Sequence, residues 1–211
     1  MSHRLLVLGA TGATGRQIVI QALALGNAVT ALSRHTDRPG IAHERLVTVS
    51  ADVAGDDHAV ARVLSGHDAV LSALGRGMTL RSGGLIERSM RRIVEAMERT
   101  GTRRLIFLSA FGVGESMRDA PWLSRLMYRV MLRGIYADKI AGEAILRRSM
   151  LDWTLVKPTM LTNRDGIEPY RMGTRLPLSG IPRISRASVA DYMIRCVDDR
   201  GTVGKEVVLS G

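Results

Sequence analysis

The sequence predicts an α/β protein built on a doubly wound parallel sheet, in one domain. Three observations carry this. Short apolar blocks alternate with stretches whose apolar residues recur at helical spacing, and a glycine-rich turn joins the first block to the first such stretch. Nothing within the 211 residues is rich enough in proline or serine to divide them.

Leu5–Leu8 is a continuous apolar run, the pattern of a strand buried on both faces. It leads into Gly9-Ala10-Thr11-Gly12-Ala13-Thr14-Gly15, with its glycines spaced three apart. Ile18, Val19, Ala22, Leu23 and Leu25 then repeat at helical spacing until Gly26-Asn27. A strand, a glycine turn and a helix in this order form a phosphate cradle. Gly9 permits the turn, Gly12 lets the backbone approach a pyrophosphate, and Gly15 lets helix and strand pack closely. Free N–H groups and the positive end of the helix dipole then face the anion, which makes this a dinucleotide site.

Ala28–Ser33 reads as the second strand, ending at Arg34-His35, and Leu46–Val49 as the third. Ala51-Asp52-Val53 follows, then a helix with Val60, Val63 and Leu64 inward. Asp68–Ser72 is the fourth strand, with Gly75-Arg76-Gly77 its loop. Ile86, Met90, Ile93, Val94 and Met97 mark the next helix, and Arg104–Ser109 the fifth strand. Two helices are expected between Pro121 and Met150. The first carries Trp122, Leu123, Leu126, Met127, Val130 and Met131 on one face, for core packing, a substrate wall or a dimer surface. The second begins near Asp138, carries Lys139, Glu143, Ile145 and Leu146, and leaves Tyr136 at or before its start. Trp153–Lys157 is a sixth strand stopped by Pro158. Leu161 to Pro182 reads as an irregular substrate lid, and a helix (Val189–Val197) and a strand (Glu206–Leu209) close the domain. Because ligands bind beyond the carboxyl ends of parallel strands, the loops at Gly9–Gly15, Arg34, Asp52-Val53, Gly75-Arg76 and Ser109 gather on one rim.

Composition excludes several classes. The formal net charge is +10, but the arginines are dispersed among Glu87, Glu95 and Glu98 and form no stripe, so no nucleic-acid partner is expected. Cys196 is the single cysteine, and the five histidines lack ligand spacing, so neither a disulfide nor a metal site is expected. No apolar run approaches the roughly 20 residues needed to span a bilayer. The first strand leaves no room ahead of it for a signal peptide, which points to the cytoplasm.

The nucleotide is read at the end of the second strand. An acidic residue there binds the ribose 2′-hydroxyl of NAD, whereas this chain has Ser33-Arg34-His35. A guanidinium at that place holds a 2′-phosphate, so Arg34, helped by Arg38, points to NADP(H); Asp37 lies beyond the strand end.

Several motifs recur in order: Gly9 to Gly15, Ser33-Arg34, Asp52-Val53, Ser72-Ala73-Leu74-Gly75, Ser109, Tyr136 to Lys139, Trp153 to Pro158, and Ile184 to Ala190. On these the chain resembles an atypical short-chain dehydrogenase/reductase of the NAD(P)H-binding, NmrA-like group, near the flavin reductase/biliverdin-IXβ reductase branch. The resemblance covers nearly the whole length. It implies a Rossmann-type sheet with a small C-terminal substrate region, with substrate-side segments at about 111–135 and 159–187. It also implies cofactor contacts from Gly9, Thr11, Gly12, Ala13, Thr14 and Gly15. Asp52 and Val53 would frame the adenine, and Ala73, Leu74, Gly75 and Arg76 would line the path to the nicotinamide. Ser109 would stand beside the nicotinamide and hydrogen-bond a carbonyl substrate. Lys139 would hold the nicotinamide ribose and lower the pKa of a nearby acid, and Pro158, Thr159 and Met160 would pack near the carboxamide.

Typical members of the superfamily place a tyrosine four residues before the lysine. Here Tyr136 precedes Lys139 by three, and is read either as a proton donor or as a packing residue. The histidine that the biliverdin-IXβ reductase pattern carries near Lys139 is absent. The resemblance implies an NADPH-dependent reductase passing hydride to a flavin, quinone or other conjugated small molecule. The alternative is a non-catalytic NADP(H) sensor. Either form is expected as a monomer or homodimer. A sugar-nucleotide epimerase would need a larger substrate domain than the stretch after Pro158.

Overall fold

Side-chain alternation along the first strand sets the layers of the computed structural model, which describes residues 2–34, 40–56, 58–75, 83–113 and 133–211. In β1 (Arg4–Leu8), Leu5 and Val7 face one core while Leu6 and Leu8 face another. The first core is closed by Ile18, Val19 and Ala22 of α1 (Ala13–Ala24). Val189, Tyr192 and Met193 of α5 (Arg186–Arg195) complete it. The second is closed by α2 (Ala59–Leu64), α3 (Leu85–Thr100) and Leu146 of α4 (Arg133–Arg148). Each leucine of β1 is 0% exposed, a burial worth roughly 1.5–3 kcal/mol per side chain.

β2 (Ala28–Ser33), β3 (Leu46–Ser50), β4 (Ala69–Ser72), β5 (Arg104–Leu108), β6 (Asp152–Pro158) and β10 (Lys205–Ser210) pair in parallel with their neighbours. The sheet order is β3-β2-β1-β4-β5-β6-β10-β8, and only β8 (Arg171–Gly173) runs antiparallel, against β10. The order reverses between β1 and β4, the switch point where such sheets open a crevice for a ligand. The doubly wound parallel fold is therefore the one expected, and the strands lie where their apolar runs place them.

Three boundaries differ. The stretch from Leu161 to Pro182 is not wholly irregular: β7 (Met160–Thr162) pairs with β9 (Arg183–Ser185) in a small second sheet, and β8 joins the main one. Strands of three residues are recognised by their partners, not by periodicity. The last helix starts at Arg186 rather than Val189 because the Ser185 hydroxyl accepts the N–H of Ser188 and caps it. The helix expected near Asp138 already begins at Arg133, so Tyr136 lies inside it. The Trp122–Met131 face falls outside the described residues, as do Asp37 and Arg38.

Candidate functional site

The glycine turn is built as tightly as its spacing demands. Gly9 has φ +75°, and a Cβ there would lie 2.9 Å from the Ala73 carbonyl oxygen. At Gly15 a Cβ would come within 2.1 Å of the Gly9 carbonyl oxygen, so any side chain would push α1 off the turn. Gly12 caps α1 without a side-chain hydrogen bond, and no acid stands in the first turn. The first N–H groups of α1 are thus open toward an anion.

Two cavities meet at this turn. The outer one, about 110 Å³, is lined by Gly9, Thr11, Gly12, Arg34, Asp52, Val53 and Ser89. The inner one, about 370 Å³, is lined by Ala13, Thr14, Ser109, Asp138, Lys139, Leu161 and Arg186. Gly12, Ala73, Leu74 and Gly75 line both. The sequence-predicted residues thus fall along one groove over the carboxyl ends of β1, β2, β4 and β5. Gly15 is buried beneath it, and Pro158 and Thr159 line neither cavity. Arg76 lies outside the described residues.

In the outer cavity Arg34 is exposed, and among the described residues its guanidinium makes no ion pair. Asp52 Oδ1 accepts the Ala54 N–H at 3.0 Å, and Oδ2 carries no hydrogen bond among the described residues. The Ser89 hydroxyl is buried at the cavity wall without a partner among the described residues. A buried polar group left unpaired inside a cavity is a place for a ligand's donor or acceptor.

The inner cavity holds the titratable groups. Ser109, immediately after β5, is 3% exposed. Its hydroxyl, expected beside a carbonyl substrate, donates to Glu143 Oε1 at 2.5 Å. Glu143 Oε2 receives Arg147 at 2.6 Å and Lys157 at 3.2 Å. Lys157 also reaches Glu206 at 2.6 Å and the Val113 carbonyl at 2.9 Å, and Arg147 binds Glu206. Two cations and two carboxylates thus close on one another behind Ser109. Although burial would push the Glu206 carboxyl up, Lys157 and Arg147 pull it below its usual range.

Lys139 is treated differently. It is partly buried and lines the inner cavity, with its ammonium 6.0 Å from the centre of the Phe107 ring. It has no hydrogen bond or ion pair among the described residues. Burial pushes it down to about 8, against the opposing pull of Glu143 and Asp138. The neighbouring Asp138 is occupied: its two oxygens accept the N–H groups of Ile86 and Glu87 at 3.1 and 3.0 Å, capping α3 from another helix. The Tyr136 hydroxyl donates to the Phe111 carbonyl at 3.1 Å, and Tyr136 lines neither cavity.

Sequence reasoning missed Glu143, Arg147, Lys157 and Glu206 as a unit. One signal was available: Lys157 ends an otherwise apolar strand, and a charge buried in a sheet requires a partner. The Glu143–Arg147 spacing of one helical turn was another. Nothing local ties either to Ser109 or Glu206.

Switch point, glycine turn and groove together define a nucleotide-binding protein of Rossmann type. The chain belongs to the NAD(P)H-binding family, whose model matches residues 9–200. It is similar to an isoflavone reductase of Pisum sativum, 22% identical over 227 residues that span 97% of this chain and 69% of that protein. Its fold is shared by a wide-type short-chain dehydrogenase/reductase from Veillonella parvula DSM 2008, solved in complex with NADP. That structure has a TM-score of 0.84 and 17% identity, covering 100% of this chain and 95% of that one. An anaerobillin reductase from Escherichia coli O157:H7 gives a TM-score of 0.77 at 21% identity, covering 98% and 96%. Among the described residues, no helix is long and apolar enough to cross a membrane, and no group of His, Cys, Asp or Glu is placed to hold a metal ion.

Proposed function

We propose that the protein is an NADPH-dependent oxidoreductase that passes hydride to a flavin, quinone or other conjugated small-molecule acceptor, acting in the cytoplasm as a monomer or homodimer. The observation that carries this reading is the Lys139 ammonium, without a hydrogen bond or ion pair among the described residues, at the inner end of a groove whose outer lip is Arg34. The residues present fit a dinucleotide: a turn that excludes side chains, a helix capped by glycine with no side-chain hydrogen bond, and a buried hydroxyl, Ser89, lining the outer cavity without a partner among the described residues.

In this reading the α1 N-terminus and Thr11–Thr14 hold the pyrophosphate, Asp52 and Val53 flank the adenine, and Arg34 takes the 2′-phosphate. A reduced nicotinamide, when bound, supplies the hydride. Ala73, Leu74 and Gly75 shape the path that orients it. Lys139 keeps a proton on Nζ beside the inner cavity and, at about 8, gives it up near neutrality. It is therefore the group that protonates the reduced acceptor, since the Tyr136 and Ser109 hydroxyls donate to Phe111 and Glu143.

Those two engaged hydroxyls also favour a second reading, an NADP(H) sensor without turnover. One assay separates the two: NADPH and NADH oxidation in parallel against flavins, quinones and biliverdin, with cofactor binding measured on the same sample. Turnover with NADPH supports the reductase. Tight NADP(H) binding without turnover of any member of the panel supports the sensor.

A further inference from the structure

Ser109 has a single O–H, and Glu143 Oε1 receives it. That oxygen has no other partner among the described residues, whereas Oε2 is held by Arg147 and Lys157. Glu143 is 0% exposed. Turning the Ser109 proton toward the cavity would strip a buried carboxylate oxygen of its hydrogen bond, and a buried charged group left short of a partner is costly. The donor capacity of the hydroxyl is therefore spent inward, and its lone pairs are what it offers to the cavity it lines. In the same cavity the Lys139 ammonium offers only donors. An acceptor at Ser109 and a strong donor at Lys139 match a ligand edge on which a carbonyl stands beside an N–H.

We propose that Glu143 is a positioning residue that fixes Ser109 as a hydrogen-bond acceptor. The cavity then takes conjugated acceptors with a C(=O)–N–H edge, the imide of an isoalloxazine ring, in preference to quinones, which present carbonyls alone. This deepens the reductase reading above and rests on it. Lys157, Arg147 and Glu206 act through Glu143 by holding its carboxylate in place.

The test is a ligand pair read by binding. Lumiflavin carries the imide N–H, and 3-methyllumiflavin replaces that hydrogen by a methyl group while keeping both carbonyls. With NADP⁺ saturating, quenching of flavin fluorescence gives each affinity. The unmodified protein is expected to prefer lumiflavin by about tenfold, the scale of one buried hydrogen bond left unmade. Ser109→Ala is expected to cost lumiflavin about tenfold and to change 3-methyllumiflavin by less than about twofold. Equal losses for both ligands would mean that Ser109 donates to a flavin carbonyl, and no loss for either would mean that it touches neither; both overturn the proposal.

Glu143→Gln supplies an amide N–H₂ that can donate to the Ser109 oxygen and release its proton to the cavity. It is expected to narrow the preference to about threefold or less, with NADP⁺ affinity unchanged. An unchanged preference removes Glu143 from the role, and if this variant does not fold, Ser109→Ala decides alone. Lumiflavin failing to bind while NADP⁺ binds overturns the proposal and leaves the cofactor reading standing. Loss of NADP⁺ binding as well would remove both.

Discussion

Lys139 and Lys157 both have Glu143 as an acidic neighbour, and the fold treats them in opposite ways. Lys157, on β6, has a side chain 1% exposed and is closed in by Glu143, Glu206 and the Val113 carbonyl. Lys139, on α4, lines a cavity, and among the described residues its ammonium makes no hydrogen bond or ion pair and lies 6.0 Å from the centre of the Phe107 ring. One charge is met by two carboxylates. The other is left short of partners, and its proton is loosened. In the proposed reductase, leaving the second ammonium without an ion pair among the described residues would trade stability for reactivity.

The largest expected effect lies at the compensated lysine. Lys157→Met leaves two carboxylates facing Arg147 alone and should cost about 3–5 kcal/mol, read from urea unfolding. A loss below about 1 kcal/mol would mean that the cluster is not a stability element and would erase the contrast. Lys139→Met should act the other way on stability, gaining about 1 kcal/mol at pH 7 by removing an uncompensated ammonium. Its turnover should fall on the order of 100-fold, the worth of a proton donor. A variant both less stable and fully active would reverse the assignment.

The pH dependence sharpens the same comparison. Lys139 titrates lower folded than unfolded, at about 8 against 10.5. The folded chain therefore carries the full cost of burying this charge below pH 8, and the cost is relieved as pH climbs toward 10.5. The stability gap between Lys139→Met and the unmodified protein should accordingly be widest below pH 8 and close by pH 10.5. Glu206 has the opposite sign. Its folded value lies below the ordinary 4.5, so its contribution is present above 4.5 and is lost as pH falls through the lower folded value. Glu206→Gln should flatten that acid limb in the same unfolding series. The smallest effect is at the rim: Arg34→Ala should weaken NADPH by about tenfold and NADH by about twofold or less, measured by titration. Equal losses would detach Arg34 from the 2′-phosphate.

How much of this was legible differs between the groove and its backing. Continuous apolar runs bounded by turn signals, such as Leu5–Leu8 before Gly9, fit buried strands. Three glycines between a strand and a helix leave few alternatives for the turn. Asp138 is more instructive. The sequence puts a helix start near Asp138, and the aspartate does cap a helix, but that helix is α3, whose Ile86 and Glu87 N–H groups it accepts. Residue type carried the chemistry and withheld the address. The Ser109–Glu143 hydrogen bond was illegible for the same reason, because the two lie 34 positions apart, and no local pattern says which way a hydroxyl proton turns.

The position of β10 bears on how the chain is made. Glu206 follows Lys157 by 49 positions, yet β10 lies inside the sheet between β6 and β8. A nascent chain emerging from the ribosome therefore presents Lys157, Glu143 and Arg147 before their fourth member exists. Over that interval β6 has an unpaired edge, and a strand edge without its partner is what chaperones shield and neighbouring chains capture. Completion of this fold is thus deferred until Glu206 and its strand leave the exit tunnel, and slowed translation between β6 and β10 would lengthen the vulnerable period.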